Sequence, residues 1–328
     1  MTSASIYLDY NATAPVRPEA AAAVSAALGT IGNPSSVHGF GRAARRLIED
    51  ARDCVAALVN ARPDEVIFTS GGTEANALAL GGSGAVRFVV SAVEHDSVLR
   101  NATGGTRIPV DSRGVVDLGA LDDLLAATSG QPVLVSLMLA NNETGVIQPV
   151  AEAAALTRRH GALIHCDAVQ AAGKIPVNMP ALGVDFLSLS AHKLGGPQGV
   201  GALVVRSGVV LEACVKGGGQ ERSRRAGTEN VPGIAGFGAA AAIAAAELTE
   251  AAERVRKLRD RLEAGVRAAN PRAVVYGSGA PRLPNTSCIG LPGRSAEIQM
   301  MELDLAGIAV SSGAACSSGK VRASHVLE

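Results

Sequence analysis

Residues 186–205 read FLSLSAHKLGGPQGVGALVV. Both ends, 186–190 and 201–205, are short apolar runs with no charged residue, as expected of strands covered on both faces. Between them stand His192, Lys193 and a Gly-Gly-Pro turn. A lysine directly after a buried strand is a candidate Schiff-base amine, because burial lowers its pKa and frees a nucleophile. Lysine is also a common surface residue beside a turn. Ser190 and His192 flank it and could hold an anion.

Working outward, comparable strand patterns occur at 65–70, 87–91, 133–139 and 163–167. Helical patterns separate them at 43–59, 74–80, 118–127 and 150–160, with a long one over 239–269 whose continuity the pattern leaves open. This alternation predicts an α/β fold, a mostly parallel central sheet with helices on both sides. After the long helix, 273–276, 285–289 and 308–311 read as strands of a smaller α+β unit. The expected division is a large domain over 15–249 and a small one from 1–14 and 250–328.

Two further stretches carry chemistry. In FTSGGTEANALAL (68–80) a strand ends, glycines turn the chain and a helix starts near Thr73. Backbone N–H groups at such a helix start are a seat for phosphate, with Gly72 and Thr73 closest; a capping threonine alone would read the same way. In LIHCDAVQ (163–170), Asp167 closes an apolar strand where a parallel sheet presents ligand-binding groups. A helix N-cap is the other use of an aspartate there. Pyridoxal phosphate needs a lysine amine, an anion for its pyridinium nitrogen and a phosphate cradle. Lys193, Asp167 and the Gly72-Thr73 turn supply all three, and His95, just after strand 87–91, could stack on the ring.

Composition bounds the rest. The 328 residues carry 30 basic and 30 acidic side chains, so no basic excess points to nucleic acid or an anionic membrane surface. No apolar run is read as long enough to span a bilayer, since the Ala-rich stretch after Gly238 soon meets Glu247 and Glu250. The start shows no basic segment followed by an apolar one, so no secretory signal is expected. Five dispersed cysteines fit reduced thiols in a cytoplasmic protein. No metal-ligand spacing is found. Cys316, in SSGAACSSGK (311–320), stands apart because its serine and glycine neighbours offer nothing to pack against, which suggests a reactive thiol.

Taken together, YLDYNATAPV (7–16), GNPSSVHGFG (32–41), EHDSVL (94–99), ANNETGVIQP (140–149), HCDAVQAAGK (165–174), GGGQERSRRAGTENV (217–231), LPNTS (283–287) and SSGAACSSG (311–319) resemble the NifS/IscS-like cysteine desulfurases. These belong to the class V aminotransferase family of pyridoxal-phosphate enzymes. The resemblance implies fold type I, with a large domain and a smaller α+β domain. It implies that Lys193 bears the cofactor, Asp167 pairs with the pyridinium N–H, Gln170 bonds the phenolic oxygen, and His95 stacks and relays protons. Gly72, Thr73, Ser190 and His192 would bind phosphate, and Asn142 would lie near the cofactor and the substrate carboxylate. Thr228 would reach the phosphate held by the partner subunit of a homodimer. Cys316 would attack the sulfur of L-cysteine, becoming a persulfide and leaving alanine. It would then pass sulfur to an iron–sulfur scaffold or another acceptor, with transient ligation of a nascent cluster as its one metal role.

Two departures accompany the resemblance. The sequence ends at Glu328, whereas relatives are expected to continue with an arginine for the substrate carboxylate. The stretch after Cys316, Lys320-Val321-Arg322, is more basic than is usual there. Selenocysteine lyase, aminotransferase and non-catalytic homologue are the alternatives. The Cys316 stretch discriminates against an aminotransferase, which needs no protein thiol.

Overall fold

The computed structural model describes residues 5–128, 130–313 and 324–327. The strands are β1 (Ile6–Tyr7), β2 (Val66–Thr69), β3 (Arg87–Ser91), β4 (Thr106–Ile108), β5 (Val133–Ser136), β6 (Leu163–Asp167), β7 (Phe186–Ser190), β8 (Gly201–Val205), β9 (Val274–Tyr276), β10 (Cys288–Gly290) and β11 (Ile308–Ala309). The helices are α1 (Pro18–Leu28), α2 (Gly39–Leu58), α3 (Gly72–Gly82), the single turn α4 (Asp96–Leu99), α5 (Leu118–Ala127), α6 (Val150–Arg159), the single turn α7 (Met179–Leu182), α8 (Val231–Ala269) and α9 (Ala296–Leu305).

Strands β2 to β8 make one sheet in the order β2-β8-β7-β6-β5-β3-β4. The pairs from β4 across to β7 are parallel, and β8 runs against both β7 and β2. That reversal follows from the turn carrying Lys193, which is too short for a crossover helix. Both sheet faces are covered. Phe186, Leu134 and Ile67 pack with Leu78 of α3, whereas Leu187, Val135 and Phe68 pack into the larger core with Ile48 of α2 and Phe237 of α8. Strands with two buried faces and parallel neighbours therefore end together at one edge, and that edge positions the site.

Helix α8 differs from the sequence reading in two ways. It is continuous and starts at Val231, because Gly233, Gly236 and Gly238 serve packing rather than breaking the helix. A Cβ on Gly238 would lie 2.5 Å from Ala51 Cα, and one on Gly236 would lie 2.5 Å from Val24 Cγ2, so α2 and α1 approach closely there. Its apolar part also corrects the expectation about spans. Over its most apolar 18 residues the mean hydropathy is 1.5, enough in length and composition to cross a membrane. Core packing of Ile234, Phe237, Ala240, Ala241 and Ala244 accounts for that composition.

The rest of the chain builds small pieces beside the sheet. β9 and β10 pair antiparallel, and β1 pairs in parallel with β11, joining Ile6 to Ile308. His38 caps α2 by accepting the Gly41 N–H. The edge strand β4 escaped the reading because three residues, two of them exposed, carry little pattern.

A buried ion pair holds the loop that leads into α8. Arg52 donates to both oxygens of Glu221 at 2.8 and 2.9 Å, and its guanidinium lies 4.8 Å from the Phe68 ring centre. Glu221 also accepts the Phe68 N–H. Glu221, Arg222 and Ser223 all have positive φ, a costly conformation for three successive non-glycine residues. Glu221→Ala removes the two-pronged partner of a buried guanidinium, leaving it Glu49 at 3.1 Å and the Val66 carbonyl, and is expected to cost up to about 3–5 kcal/mol. Urea unfolding measures this, and a loss below about 1 kcal/mol would show that the pair does not anchor the loop.

Candidate active site

Lys193 sits in a short 3-10 turn that follows β7 and is buried. Its Nζ donates to the carbonyl oxygens of Asn11 and of Ala12, the latter at 2.9 Å. Asp167 ends β6, the neighbouring strand, and is 6 % exposed. Its Oδ1 accepts the Val169 N–H at 3.0 Å, and its Oδ2 accepts from Asn76 Nδ2 at 2.7 Å. The first bond closes a local turn, and no helix starts directly after Asp167 among the described residues, so the aspartate is not a helix N-cap. No cationic side chain pairs with Asp167 among the described residues.

Asn76 lies on the buried face of α3 and also donates to Ser97 Oγ at 2.9 Å. Ser97 Oγ is 2.7 Å from His95 Nδ1, which accepts the Ser97 backbone N–H at 3.1 Å. Nδ1 is thus an acceptor, which places the proton of a neutral His95 on Nε2. Asp167, Asn76, Ser97 and His95 form one connected chain.

A second network surrounds Asn11. Its carbonyl accepts from Gln170 Nε2 at 2.9 Å as well as from Lys193. Its amide donates to the Asn142 carbonyl and to Thr286 Oγ1, both at 3.0 Å. Lys174 Nζ donates to Gln170 Oε1 at 2.7 Å. His192 Nδ1 lies 3.2 Å from Thr13 Oγ1. Burial, with the charges of Lys193 and Lys174, pushes the His192 pKa down to about 4, so its ring is neutral near pH 7.

The phosphate-type turn is present where the sequence places it. Gly71 has φ 157°, and α3 opens at Gly72, whose Cβ, if present, would lie 2.7 Å from Val169 Cγ2 and 3.4 Å from Ser190 Cβ. Gly72 and Ser190 are therefore neighbours, and Thr73 is exposed in the first turn. The structure thus brings Gly72 to Ser190, and Gln170, Asn142 and Lys193 to Asn11. Thr228 is exposed and lines a separate cavity of about 130 Å³ with Thr69, Ser70 and Arg225. Cys316 lies outside the described residues.

Asn11, Asn76, Ser97 and Lys174 belong to the site and were not singled out from the sequence. A polar Asn76 on the apolar face of a helical pattern is the one signal that could have found its residue. The others sit in turns, where polar residues attract no notice.

Behind Asp167, His165 is fully buried between Ser136 Oγ at 2.8 Å and Ser188 Oγ at 2.9 Å. Burial lowers its pKa from 6.5 to about 4. The folded chain keeps this imidazole neutral while the unfolded chain protonates it, so its contribution is intact above pH 6.5 and is lost as pH falls toward 4. About 3 kcal/mol is expected to disappear across that window. Urea midpoints read at intervals through it should fall more steeply for the parent than for His165→Gln; parallel curves would refute the assignment.

These residues fit pyridoxal phosphate. A buried carboxylate with no cation paired to it among the described residues suits a pyridinium N–H, a buried amine suits the aldehyde, and a glycine-fronted helix start suits the phosphate. The sheet and this edge define the fold type I architecture of pyridoxal-phosphate-dependent enzymes. Residues 6–327 match the class-V aminotransferase family, and the chain belongs to that family. It is similar to a cysteine desulfurase of Cereibacter sphaeroides, 49% identical over 98% of this chain and 86% of the relative. It is also similar to the cysteine desulfurase IscS of Dictyoglomus turgidum, 42% identical over 98% of this chain and 84% of that one. Among solved structures, a NifS-like protein from Rickettsia africae superposes with a TM-score of 0.91 at 38% identity, covering 98% of this chain and 89% of that one. Pyridoxal-phosphate dependence is implied by the family.

Proposed function

We propose that this chain is a cysteine desulfurase that takes the sulfur of L-cysteine onto Cys316 as a persulfide and releases L-alanine. The observation that carries this reading is the convergence of Lys193, Asp167 and the Gly72 turn on one sheet edge, with His95 bonded into it through Ser97 and Asn76. The similarity to cysteine desulfurases over nearly the whole chain selects the reaction. Sulfur then passes to an iron–sulfur scaffold or another acceptor, and the working unit is a cytoplasmic homodimer.

When bound, pyridoxal phosphate supplies an electron sink for the pair left behind as the substrate α-proton departs. Lys193 holds it through its amine, and the same Nζ can take and return that proton. Asp167, fixed by the Asn76 and Val169 N–H groups, holds a proton on the ring nitrogen. Gln170 would donate to the phenolic oxygen, and Asn142 would border the substrate side. Gly72 and Thr73 offer backbone N–H groups to the phosphate, with Ser190 Oγ and neutral His192 as neighbouring polar groups. His95 would stack on the ring, and its proton lies at Nε2. Thr228 would reach the phosphate held by the partner subunit. The β1–β11 pairing supports grouping residues 1–14 with 250–328 as a small domain beside this edge.

Product analysis tests the proposal. The protein loaded with pyridoxal phosphate is given L-cysteine and a dithiol, and alanine and sulfide are counted together. Equal amounts of both are expected. Cofactor binding with neither product would exclude desulfuration.

A further inference from the structure

We propose that Lys174 is a positioning residue that fixes the Gln170 amide so that it turns an N–H, never its carbonyl, toward the phenolic oxygen of pyridoxal phosphate. The inference rests on the reading of Gln170 as a ligand of that oxygen. It concerns a lysine that the reaction scheme does not otherwise use.

The geometry leaves the amide one orientation. A lysine ammonium only donates, so the Gln170 atom 2.7 Å from Lys174 Nζ is the carbonyl oxygen. On the other side, the Asn11 backbone oxygen only accepts, so the atom 2.9 Å from it is the nitrogen. Both neighbours demand the same assignment. One of the two hydrogens on Nε2 is used by Asn11, and the second remains for a ligand.

The backbone holds Lys174 at this station. Residues 168–175 form helical turns in which Ala172 N–H reaches the Ala168 carbonyl and Ile175 N–H reaches the Ala171 carbonyl, which puts Gln170 and Lys174 on one side. Gly173 has φ 76°, and a Cβ there would crowd Leu194 and Ala244, so the turn packs tightly under the Lys193 segment. Lys174 also lies 3.5 Å from Asn11 Oδ1. Burial first, and the Lys193 charge second, lower its pKa from 10.5 to about 7. The hydrogen bond to Gln170 is therefore charge-assisted whenever the ammonium form is present.

The test compares the affinity of the cofactor-free protein for pyridoxal phosphate and for its 3-deoxy analogue, which lacks the phenolic oxygen. Both ligands carry the aldehyde and the phosphate, and their intrinsic difference in reactivity cancels when variants are compared. The parent is expected to prefer the oxygenated ligand more than Gln170→Leu does, by about tenfold, the effect of one well-made hydrogen bond. Lys174→Met should lose part of that preference, because the Asn11 carbonyl still calls for Nε2 on its side, and Lys174→Arg should keep it in full. Lys174→Gln provides a second, polar replacement should the methionine variant not fold, since its own amide imposes no orientation. Equal weakening of both ligands by Lys174→Met, with the preference intact, would overturn the proposal and leave Lys174 a packing role. A parent that prefers the oxygenated ligand no more than Gln170→Leu does would instead remove the reading of Gln170, and the proposal with it.

Discussion

Lys193→Ala is expected to leave a folded protein that gains no visible absorbance with pyridoxal phosphate and loses at least about 10³-fold in turnover, since proton transfer by a placed side chain alone is worth about 10²–10⁴-fold. The side chain enters the site from a turn at the end of β7, and its Nζ is held by the Asn11 and Ala12 carbonyls. Alanine removes the amine at the end of β7 that can both attach an aldehyde and carry a proton. The stability cost stays small. Two carbonyls lose a donor, about 1–3 kcal/mol, but the repulsion between Lys193 and Lys174 disappears as well. Lys174, relieved of that charge, should hold its proton to higher pH. Lys193→Arg separates charge from amine chemistry, because a guanidinium stays protonated and cannot replace the lysine as nucleophile or base. Absorbance and turnover equal to the parent in either variant would take Lys193 out of its assigned role.

Lys193, Asp167 and Gly72 were legible because each is out of place locally. A charge follows an apolar strand, or glycines interrupt a strand-to-helix junction. The strands around them were legible for the same reason, being short, apolar and bounded by turns; β3, β6, β7 and β8 fall where the pattern puts them. What escaped depends on contacts between distant parts of the chain. Asn76 meets Asp167 across 91 positions, and Asn11 meets Asn142 across 131, and no local pattern encodes either pairing. Lys174 carries no local signal, since only the packing of Gly173 against Leu194 and Ala244 shows where it is held. The start of α8 was hidden by the opposite effect. Glycine usually signals a break, and here it marks the place where Ala51 and Val24 come too close for any Cβ.

Asp167→Asn is expected to move function and stability in opposite directions. The substitution keeps the volume of a residue that is 6 % exposed and removes a charge that no protein cation neutralises among the described residues. Without cofactor, losing that charge removes a desolvation cost and also the field that helps raise the Glu94 pKa. The cofactor-free variant should therefore be as stable as the parent or up to about 1–2 kcal/mol more so. With cofactor the order reverses, because an amide cannot hold a proton on the pyridine nitrogen, and turnover should fall by about 10³-fold. The effect reaches His95 as well. An asparagine at 167 must turn its NH₂ toward either the Val169 N–H or the Asn76 N–H, each already a donor. Asn76 can answer by flipping, since its buried Oδ1 accepts no hydrogen bond among the described residues. The flip presents that oxygen to Ser97 Oγ, which then donates to Asn76 instead of to His95 Nδ1. The proton on His95 loses one of the two bonds that assign it to Nε2, and histidine ¹⁵N shifts can read the change. Urea midpoints with and without pyridoxal phosphate, set beside turnover, decide the matter. A destabilised cofactor-free variant would mean that the carboxylate is stabilised by the protein alone, and unchanged turnover would mean that the ring nitrogen does not depend on Asp167.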